Sequence, residues 1–455
     1  MLGCMRGAMP ARGIATGDFH MRFHMRLRLL AVVVLVLLGA LASGSAQAWR
    51  LRTIYSFCPQ TKCLDGAYPG GIALDENGNI YGTADGGGDQ FEGVVFKASY
   101  NLAKDKWSYK RLWSFCGEAD CPDGLQPVAA PIRDTSGNLY GTTVGQGPPD
   151  ADCSGGTAFK LTPRGKLSVL HRFPANSHDG GCPYSDLTYA GAASGAAYDG
   201  VSPLYGTTLF GGSGNCDFGC GTVFELAPVP GQKKWSETVL YRFCGCNGDS
   251  EYPNPGLLID AAGNIYGTEG GNFDYGTIFK LALVGGKWKE TILYRFCSQA
   301  NCSDGRYPYD GHLLMDSSGA LIGTANSGGQ NGKGVVFKFA PATQQYTVLH
   351  DFCSLADCAD GAYPSVGLIL DGAGNLFGTT KYGGGHDNDY RGYGGGTVFE
   401  LSGTTLTTLY SFCAEANCAD GAYPDNGLIL DGAGNLFSTT VQGGIYYGTV
   451  FELRP

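Results

Sequence analysis

Residues 406–455 read LTTLYSFCAEANCADGAYPDNGLILDGAGNLFSTTVQGGIYYGTVFELRP, and this stretch decides the fold. It holds four short apolar runs, Leu406–Phe412, Gly427–Asp431, Asn435–Thr440 and Gly448–Leu453. The runs are rich in Leu, Ile, Val, Thr, Phe and Tyr and are bounded by Gly, Asp, Asn or Pro, which is the pattern of β-strands. Because none carries the 3.6-residue apolar stripe of a helix, the stretch predicts four strands.

The same pattern recurs from about residue 53, and three landmarks mark each of its seven copies. The first is a Phe that ends a strand: Phe57, Phe115, Phe173, Phe243, Phe296, Phe352 and Phe412. The second is an Asp-x-x-x-Pro loop: Asp65/Pro69, Asp123/Pro127, Asp179/Pro183, Asp249/Pro253, Asp304/Pro308, Asp360/Pro364 and Asp420/Pro424. The third is Gly-x-x-Phe: Gly93/Phe96, Gly156/Phe159, Gly221/Phe224, Gly276/Phe279, Gly334/Phe337, Gly396/Phe399 and Gly448/Phe451. A repeat of roughly 60 residues is typical of propellers and solenoids.

The two chain ends favour the propeller. If each unit begins after its Asp-x-x-x-Pro loop, the last unit has only three strands, within residues 427–453. Its missing outer strand is Thr53–Phe57, at the other end of the chain. Such an exchange closes a ring and leaves no edge strand exposed. We therefore predict an all-β fold over residues 49–455, a seven-bladed β-propeller with four-stranded antiparallel blades, in which the N-terminal strand pairs with the C-terminal blade.

Residues 1–48 have the pattern of a secretory signal peptide. The basic residues are Arg22, Arg26 and Arg28. An apolar run over residues 29–42 follows, and Ala46-Gln-Ala48 is a small-x-small cleavage signal. Because residues 1–20 lack this character, Met21 or Met25 is an alternative start. We expect cleavage after Ala48, a secreted or periplasmic protein and no membrane span in the mature chain, with an uncleaved anchor as the alternative.

The cysteines agree with an oxidising compartment. Of the 17 cysteines, 16 remain when Cys4, in the predicted signal peptide, is left out. Five copies carry Phe-Cys-x4-Cys: Cys58/Cys63, Cys116/Cys121, Cys297/Cys302, Cys353/Cys358 and Cys413/Cys418. Even, regular cysteines behind a signal peptide favour disulfides. Structural zinc is the alternative, but it takes four ligands and each pair stands alone in its copy. We expect no metal and no cofactor.

Six cysteines lie outside the regular pattern, in two neighbouring blades. Cys153 and Cys182 fall in two loops on the same face, and we predict that they pair. The second of these blades has Cys216 and Cys220 in one loop and Cys244 and Cys246 in another. A Cys244–Cys246 bridge would close a small, strained ring. We therefore expect Cys216 and Cys220 to pair with Cys244 and Cys246, in either order.

The loops differ between the two faces of the predicted ring. One face has tight Asp-x-x-Gly-Asn turns, whereas the other carries the Cys loops and long Gly-rich loops that vary between copies. Variable loops on a rigid scaffold are the usual place for binding residues. The candidates are the aromatic residues of these loops: Phe91, Phe273, Tyr275, Tyr382, Tyr390, Tyr393 and Tyr446.

Three other sets of residues have a structural and a functional interpretation. The Asp of each Asp-x-x-x-Pro either shapes a turn or contributes to a cation-binding ring around the axis. The tyrosines of the same loop, which either pack locally or form a stacking platform, are Tyr68, Tyr252, Tyr307, Tyr363 and Tyr423. Of the scattered histidines, His312 precedes an inner strand and is a candidate acid or base in the channel. In each case we favour the structural interpretation.

Two segments resemble a known repeat family. Gly137-Asn-Leu-Tyr-Gly-Thr-Thr143 and Gly374-Asn-Leu-Phe-Gly-Thr-Thr380, the latter followed by Gly394-Gly-Gly-Thr-Val-Phe-Glu-Leu401, resemble the GloVer tandem repeat of bacterial surface and secreted proteins. This resemblance implies a propeller-like repeat and no particular activity. The Asp-x-x-Gly-Asn-Leu-Tyr hairpin is more distantly similar to the hairpins of NHL-type and lactonase-type propellers. A lactonase-type site would need a Glu/Asn/Asp metal set at the channel, and Glu is scarce near the inner strands of this chain.

Charge narrows the class of partner. The net charge is −10, and no basic run follows residue 30, which argues against nucleic acid. We expect a secreted, monomeric binding module that uses its loop-rich, disulfide-stapled face for an extracellular glycan, peptide or protein. The alternative is a hydrolase or lyase at the channel mouth, which an unpaired acidic cluster or a metal would favour. A purely structural envelope protein is the third class.

Overall fold

The computed structural model describes residues 49–59, 62–145, 155–174, 179–212, 216, 219–244, 251–254, 256–270, 275–309, 312–386 and 393–455. Its strands form seven antiparallel sheets in a ring, so the predicted seven-bladed, all-β propeller is confirmed. The predicted signal peptide, residues 1–48, lies outside the described residues. In the described part, the helices are single turns far too short to cross a membrane.

The strands are numbered along the chain, and blades are counted from the first complete sheet. β1 is Arg50–Ser56. Blade 1 is β2 (Ala67–Leu74), β3 (Ile80–Gly86), β4 (Val94–Asn101) and β5 (Lys106–Ser114). Blade 2 is β6 (Ile132–Arg133), β7 (Leu139–Thr143), β8 (Thr157–Leu161) and β9 (Leu167–Arg172). Blade 3 is β10 (Thr188–Tyr189), β11 (Leu204–Thr208), β12 (Thr222–Pro228) and β13 (Trp235–Arg242).

The later blades follow the same order from the inner to the outer strand. Blade 4 is β14 (Leu258–Ile259), β15 (Ile265–Glu269), β16 (Thr277–Val284) and β17 (Lys287–Arg295). Blade 5 is β18 (Leu314–Met315), β19 (Leu321–Ala325), β20 (Val335–Ala340) and β21 (Gln345–Asp351). Blade 6 is β22 (Ala362–Pro364) and β23 (Ile369–Leu370), two pieces of the inner strand, then β24 (Leu376–Tyr382), β25 (Thr397–Ser402) and β26 (Thr405–Ser411). Blade 7 is β27 (Ile429–Leu430), β28 (Leu436–Thr440) and β29 (Thr449–Arg454).

Single 3-10 turns punctuate the loops. They are Leu102–Lys104, Ala192–Ser194, Ala300–Cys302, Ala356–Cys358 and Ala416–Cys418. The ring closes as predicted, because β1 is the fourth strand of blade 7 and pairs antiparallel with β29. Thr53 lies opposite Phe451 and Tyr55 opposite Val450, with a bulge between these two pairs. The first and the last described strands, β1 and β29, therefore share one blade.

The three sequence landmarks meet at one junction between neighbouring blades. At the closing seam, Phe57 donates its N–H to the Gly448 carbonyl at 3.0 Å. Tyr68, which precedes the landmark Pro69, donates its N–H to the Tyr447 carbonyl at 2.9 Å. A Cβ on Gly448 would stand 2.6 Å from Pro69 Cδ, so only glycine fits beneath the proline. The Phe–Gly hydrogen bond and the Pro–Gly contact recur in all seven copies.

Phenylalanine pairs fill the space between the blades. Each Phe that ends an outer strand meets the Phe of Gly-x-x-Phe in the next blade, as Phe57 meets Phe96 at 5.3 Å between ring centroids. The seven pairs have centroids 4.9 to 5.4 Å apart. Burying each ring contributes about 1.5 to 3 kcal/mol. Gly82 leaves room for the partner ring, since its Cβ would lie 2.5 Å from Phe96 Cζ.

Disulfides staple the Cys loops, and one predicted pairing is wrong. The five regular pairs are formed: Cys58–Cys63, Cys116–Cys121, Cys297–Cys302, Cys353–Cys358 and Cys413–Cys418. Cys216 and Cys220 pair with each other rather than with the loop of Cys244. The reason is a local turn, closed by the Gly219 N–H and the Cys216 carbonyl at 3.0 Å, which places the two Cα atoms 5.3 Å apart.

The remaining cysteines are described only in part. Cys182 and Cys244 are each disulfide-bonded. Cys153 and Cys246 lie outside the described residues, so the pairing of Cys153 with Cys182 stays a prediction.

Candidate functional site

The Asp of the Asp-x-x-x-Pro loop shapes the Cys loop. Asp65 accepts hydrogen bonds from the Tyr55 hydroxyl at 2.8 Å and the Cys58 N–H at 3.1 Å. Asp304, Asp360 and Asp420 are buried and accept equivalent bonds from the start of their own Cys loops. These carboxylates are thus committed to the loop backbone, which favours the turn interpretation over a cation-binding ring.

The tyrosines that precede the landmark prolines are held in an unusual backbone conformation. Their φ angles lie between 54° and 60°, in the left-handed region that costs energy for a residue with a side chain. This conformation directs each N–H to a carbonyl of the preceding blade, as in Tyr307 to Tyr275 at 2.7 Å and Tyr363 to Lys333 at 2.8 Å. The conformation is thereby explained by the blade junction. Among these tyrosines, Tyr423 is buried beside the Cys413–Cys418 disulfide, which fits local packing.

Tyr382 is the centre of an aromatic cluster on the loop-rich face. Its ring lies 5.7 Å from that of Tyr363, 5.6 Å from that of Tyr393 and 5.2 Å from that of Tyr423. Blades 6 and 7 supply these residues, because Tyr382 ends β24 and Tyr423 belongs to the loop that enters blade 7. Sequence reasoning named Tyr382 and Tyr393, and the structure brings these two candidates together.

A cleft opens beside this cluster, and we call it the tyrosine cleft. It has a volume of about 240 Å³ and is lined by Tyr363, Tyr382 and Tyr393 together with polar and charged residues. Those residues include Lys333, Asp357 and His386. Lys333 Nζ lies 4.6 Å from the centroid of the Tyr363 ring and also donates to its hydroxyl at 2.7 Å. The cleft therefore combines aromatic faces with charged hydrogen-bonding groups.

The other predicted aromatic residues lie in separate blades. Phe91 is 47% exposed in blade 1, Tyr275 is 44% exposed in blade 4, and Tyr446 is 79% exposed in blade 7. Phe273 and Tyr390 lie outside the described residues. Only Tyr382 and Tyr393 share one described cleft among these candidates.

A second cavity follows the axis of the ring. This axial cavity has a volume of about 360 Å³ and is lined by residues next to the inner strands of several blades. Several blades contribute a small residue to its wall, as Gly71, Ala130 and Gly427 do. Where these blades have glycine or alanine, blade 3 has Asp186 and blade 5 has His312.

Asp186 and His312 form a pair across the axial cavity. His312 Nε2 lies 3.1 Å from Asp186 Oδ2, and the other oxygen, Oδ1, accepts the Ala130 N–H at 2.6 Å. The imidazole occupies space that glycine leaves free in blade 4, since a Cβ on Gly256 would lie 1.6 Å from His312 Cδ2. His312 therefore lies on the wall of the axial cavity with Asp186 as its partner, and its role as an acid or base stays untested.

The mouth of this channel on the loop-rich face is polar. A cavity of about 370 Å³ there is lined by two partly exposed tyrosines, Tyr184 and Tyr309, and by Asn254, Ser365, Lys381 and Asp425. Lys381 and Asp425 form an ion pair. Lys381 directly precedes Tyr382, so β24 contributes to the channel mouth and to the tyrosine cleft with consecutive residues. Sequence reasoning missed this mouth, although the residues after each landmark proline supply much of it.

Asp85 is the remaining acidic group on the wall of the axial cavity. It lies near the end of β3, and burial raises the pKa of its carboxyl to about 7. The equivalent strand ends in other blades have Val144, Leu209, Asn326 or Lys381. Sequence reasoning missed Asp85 as well, because its neighbours in the channel come from distant parts of the chain.

One group of residues has metal-ligand geometry, but its chemistry does not fit a metal. Ligand atoms of Cys216, Cys220 and Glu251 lie within 4.8 Å of one another. The two sulfurs are joined as a disulfide and so are not available as the thiolates that a metal binds. No other group of three such ligands occurs among the described residues.

Taken together, the fold and its stapled loops define a disulfide-bonded propeller with ligand-sized cavities on one face. The model of the Gloeobacter/Verrucomicrobia repeat matches residues 38–203 and 193–451. The chain belongs to this repeat family, as the sequence motifs predict. No curated protein matches the chain. Among solved structures, a candidate 6-phosphogluconolactonase from Bacteroides fragilis is similar over 74% of this chain and 82% of its own, with 12% identity and a TM-score of 0.38.

Proposed function

We propose that this protein is a secreted binding module whose loop-rich face binds glycans through the tyrosine cleft. The observation that carries the proposal is the convergence of Tyr363, Tyr382 and Tyr393 on one cleft with Lys333 and His386. Sugar rings stack their apolar C–H faces on aromatic side chains, while charged and polar neighbours bind the hydroxyl groups. The cleft offers both surfaces side by side.

The exposure of the cluster supports ligand binding over pure packing. Tyr393 is 63% exposed, although its ring contacts Tyr382. A large aromatic side chain held in place by a neighbour binds at a small cost in conformational entropy. Tyr382 is itself braced by Tyr363 and Tyr423, so the platform is formed before a ligand arrives.

The charges of the channel mouth favour binding over hydrolysis there. Asp425 is neutralised by Lys381, and Asp186 is paired with His312. A hydrolase or lyase site would be favoured by an unpaired acidic cluster, whereas two of the three carboxylates on the wall of the axial cavity have partners and only Asp85 is unpaired. We therefore retain binding as the function.

Secretion is part of the same proposal. The six disulfides in which both cysteines are described favour a protein that folds outside the cytoplasm. We propose that residues 1–48 are the signal peptide and that the mature protein is the propeller of residues 49–455. Expression of the full chain with N-terminal sequencing of the exported product is expected to give Trp49 as the first residue, and retention of residues 1–48 would contradict this.

A glycan array with the purified mature protein tests the binding proposal, with a peptide array in parallel. For a glycan that binds, the Tyr393→Ala variant is expected to have an affinity about tenfold weaker. The physical reason is that the loss of one important contact residue costs more than about 1 kcal/mol of binding free energy. Tyr446→Ala is the matched control, since it removes an exposed loop tyrosine of blade 7. Binding to peptides alone, or equal effects of the two variants, would refute glycan binding by the tyrosine cleft.

A further inference from the structure

Asp85 is unusual among the carboxylates of the channel. Among the described residues, nothing forms a hydrogen bond or an ion pair with its side chain, whereas Asp186 and Asp425 both have partners. Burial alone raises the pKa of Asp85 to about 7, with no contribution from a neighbouring charge of either sign. Removing a carboxylate in this position from water costs free energy, and a bound cation would offset that cost.

The fold does not require an acidic residue at this position. The equivalent strand ends of blades 2 to 7 have, in this order, Val144, Leu209, Gly270, Asn326, Lys381 and Val441. None of these residues is acidic, so the same backbone position is formed without a carboxylate elsewhere in the ring. A carboxyl that has no partner and whose pKa is raised by burial is typical of a functional site.

The surroundings of Asp85 suit a small cationic ligand. The axial cavity has a volume of about 360 Å³, the size of a site for one small molecule. The titratable groups on its wall besides Asp85 are Tyr68, Tyr184, Asp186, His312 and Asp425. Three of the six are carboxyl groups and two are tyrosines, whose ring faces attract cations. Among the described residues, no three potential metal ligands of this cavity lie within 4.8 Å of one another, which favours an organic cation over a metal ion.

We propose that the axial cavity binds a small molecule that carries a protonated amine, with the ammonium group paired to the Asp85 carboxylate. This site is separate from the tyrosine cleft, and the inference does not depend on glycan binding there. Pairing of an ammonium with a carboxylate is a charge-assisted hydrogen bond, about twice as strong as a neutral one.

The proposal makes amine binding depend on pH. Because the pKa of Asp85 is raised to about 7, the free protein is half protonated at this carboxyl near neutrality. Amine binding requires the ionised form, so the affinity is expected to rise from pH 6 to pH 8 and a proton is released on binding near pH 7. His312 also lies on the cavity wall, and an imidazolium there at low pH would oppose a cation in the same direction.

Calorimetry and NMR on the mature protein test this, with ethanolamine and 3-amino-1-propanol as probes, because their ammonium groups stay protonated between pH 6 and pH 8. Ethylene glycol and 1,3-propanediol are their uncharged counterparts. We expect only the amines to bind. The carbon-13 shift of the Asp85 carboxyl reports its titration, and a saturating amine is expected to lower its pKa by about 1 to 3 units. Asp85→Asn is expected to weaken amine binding about 10- to 100-fold and to abolish the proton release near pH 7.

Two controls keep the test specific. Asp85→Val introduces the residue of blade 2, so its folding is supported by the repeat itself, and it is expected to lose amine binding as Asp85→Asn does. Asp89→Asn changes an exposed carboxylate of the same blade that does not line the cavity, and amine binding is expected to persist. Equal affinity for amines and their uncharged counterparts, an Asp85 titration that amines leave unchanged, or tighter binding of calcium with displacement of the amine would overturn the proposal.

Discussion

Pro69, in the loop that enters the first blade, packs its ring directly against Gly448, which precedes the last strand of the chain. A Cβ on Gly448 would stand 2.6 Å from Pro69 Cδ and 2.2 Å from the Thr440 carbonyl oxygen. The same contact joins Pro127 to Gly93 between blades 1 and 2. The seam that closes the ring is thus built like the other six junctions, although it joins residues from opposite ends of the chain.

The Gly448→Ala variant is expected to be destabilised. Gly448 has a φ of +97°, and the added methyl group would collide with Pro69 and with backbone. We expect the free energy of unfolding to fall by about 2 to 3 kcal/mol, at the upper end of common single substitutions. Gly432→Ala is the control, because nothing lies within 4 Å of its Cβ position and its change is expected to stay within about 0.5 kcal/mol. Thermal and denaturant unfolding of both variants measure this, and similar losses would contradict the role of the junction.

Deleting residues 49–57 from the mature protein is expected to cause aggregation. The deletion removes β1 and so leaves β29 as an open edge, with its backbone groups free to pair with another chain. It also removes Phe57, which is fully buried against Phe96. Size-exclusion chromatography with light scattering should show oligomers, whereas Arg50→Ala, at the exposed start of β1, is expected to remain monomeric. An unchanged monomer after the deletion would argue against closure by β1.

The Asp360 carboxylate is expected to make stability depend on pH below 4. Burial raises the pKa of Asp360, but hydrogen bonds from His350 and from the side chain and N–H of Ser354 outweigh it, and the pKa falls to about 2. A carboxyl whose pKa is lower in the folded state stabilises the fold above its unfolded pKa of about 3.9. That contribution is lost as the pH falls through about 2.

We therefore expect Asp360→Asn to lose about 1 to 3 kcal/mol at neutral pH, the contribution of charged hydrogen bonds in a buried site. Wild type and variant should converge as the pH falls from 4 to 2, because the carboxyl of the wild type becomes protonated there. Asp357→Asn, in the exposed turn of the same loop, is the control and should keep the wild-type pH profile. A constant difference between wild type and Asp360→Asn across this range would refute the linkage.

Repetition made the fold predictable and hid much of the site. Phe57, Pro69 and Gly448 have counterparts in every copy, so their spacing revealed the blades and the exchange of strands at the chain ends. Asp85 and His312 were harder to interpret because each stands where other blades have different residues. The role of these two residues depends on which blades face each other across the axis. The pattern of strands in the sequence does not give the distances between side chains across the ring.

Tyr382 and Tyr393 could be predicted from the sequence because they are aromatic residues in variable loops. Their contact with the Tyr363 side of the cleft was not predictable, since Tyr363 has counterparts such as Tyr68 and Tyr307, which suggested one role for all the tyrosines of these loops. The structure distinguishes them by their neighbours, and Tyr363 adjoins a cleft with Lys333 and His386.

The pairing of Cys216 with Cys220 is open to a direct test by non-reducing peptide mapping. Chymotryptic cleavage after Phe210, Phe218 and Phe224 separates the two cysteines into peptides 211–218 and 219–224. We expect these two peptides to be recovered as one disulfide-linked species that reduction splits. The loop they close is short, and on the chain-entropy model its contribution is about 2 kcal/mol.

The same digest tests the cysteines of the neighbouring loops. Pro253 blocks cleavage after Tyr252, so cleavage after Phe243 and Tyr266 releases peptide 244–266, which contains both Cys244 and Cys246. Because Cys216 and Cys220 are joined to each other, we expect this peptide to be free of both. Pro174 likewise blocks cleavage after Phe173, and we expect Cys153 and Cys182 to link peptides 141–159 and 160–184. Recovery of peptide 244–266 joined to 211–218 or to 219–224 would show that the two long loops of blade 3 are stapled together and that the local turn at Gly219 does not decide the pairing.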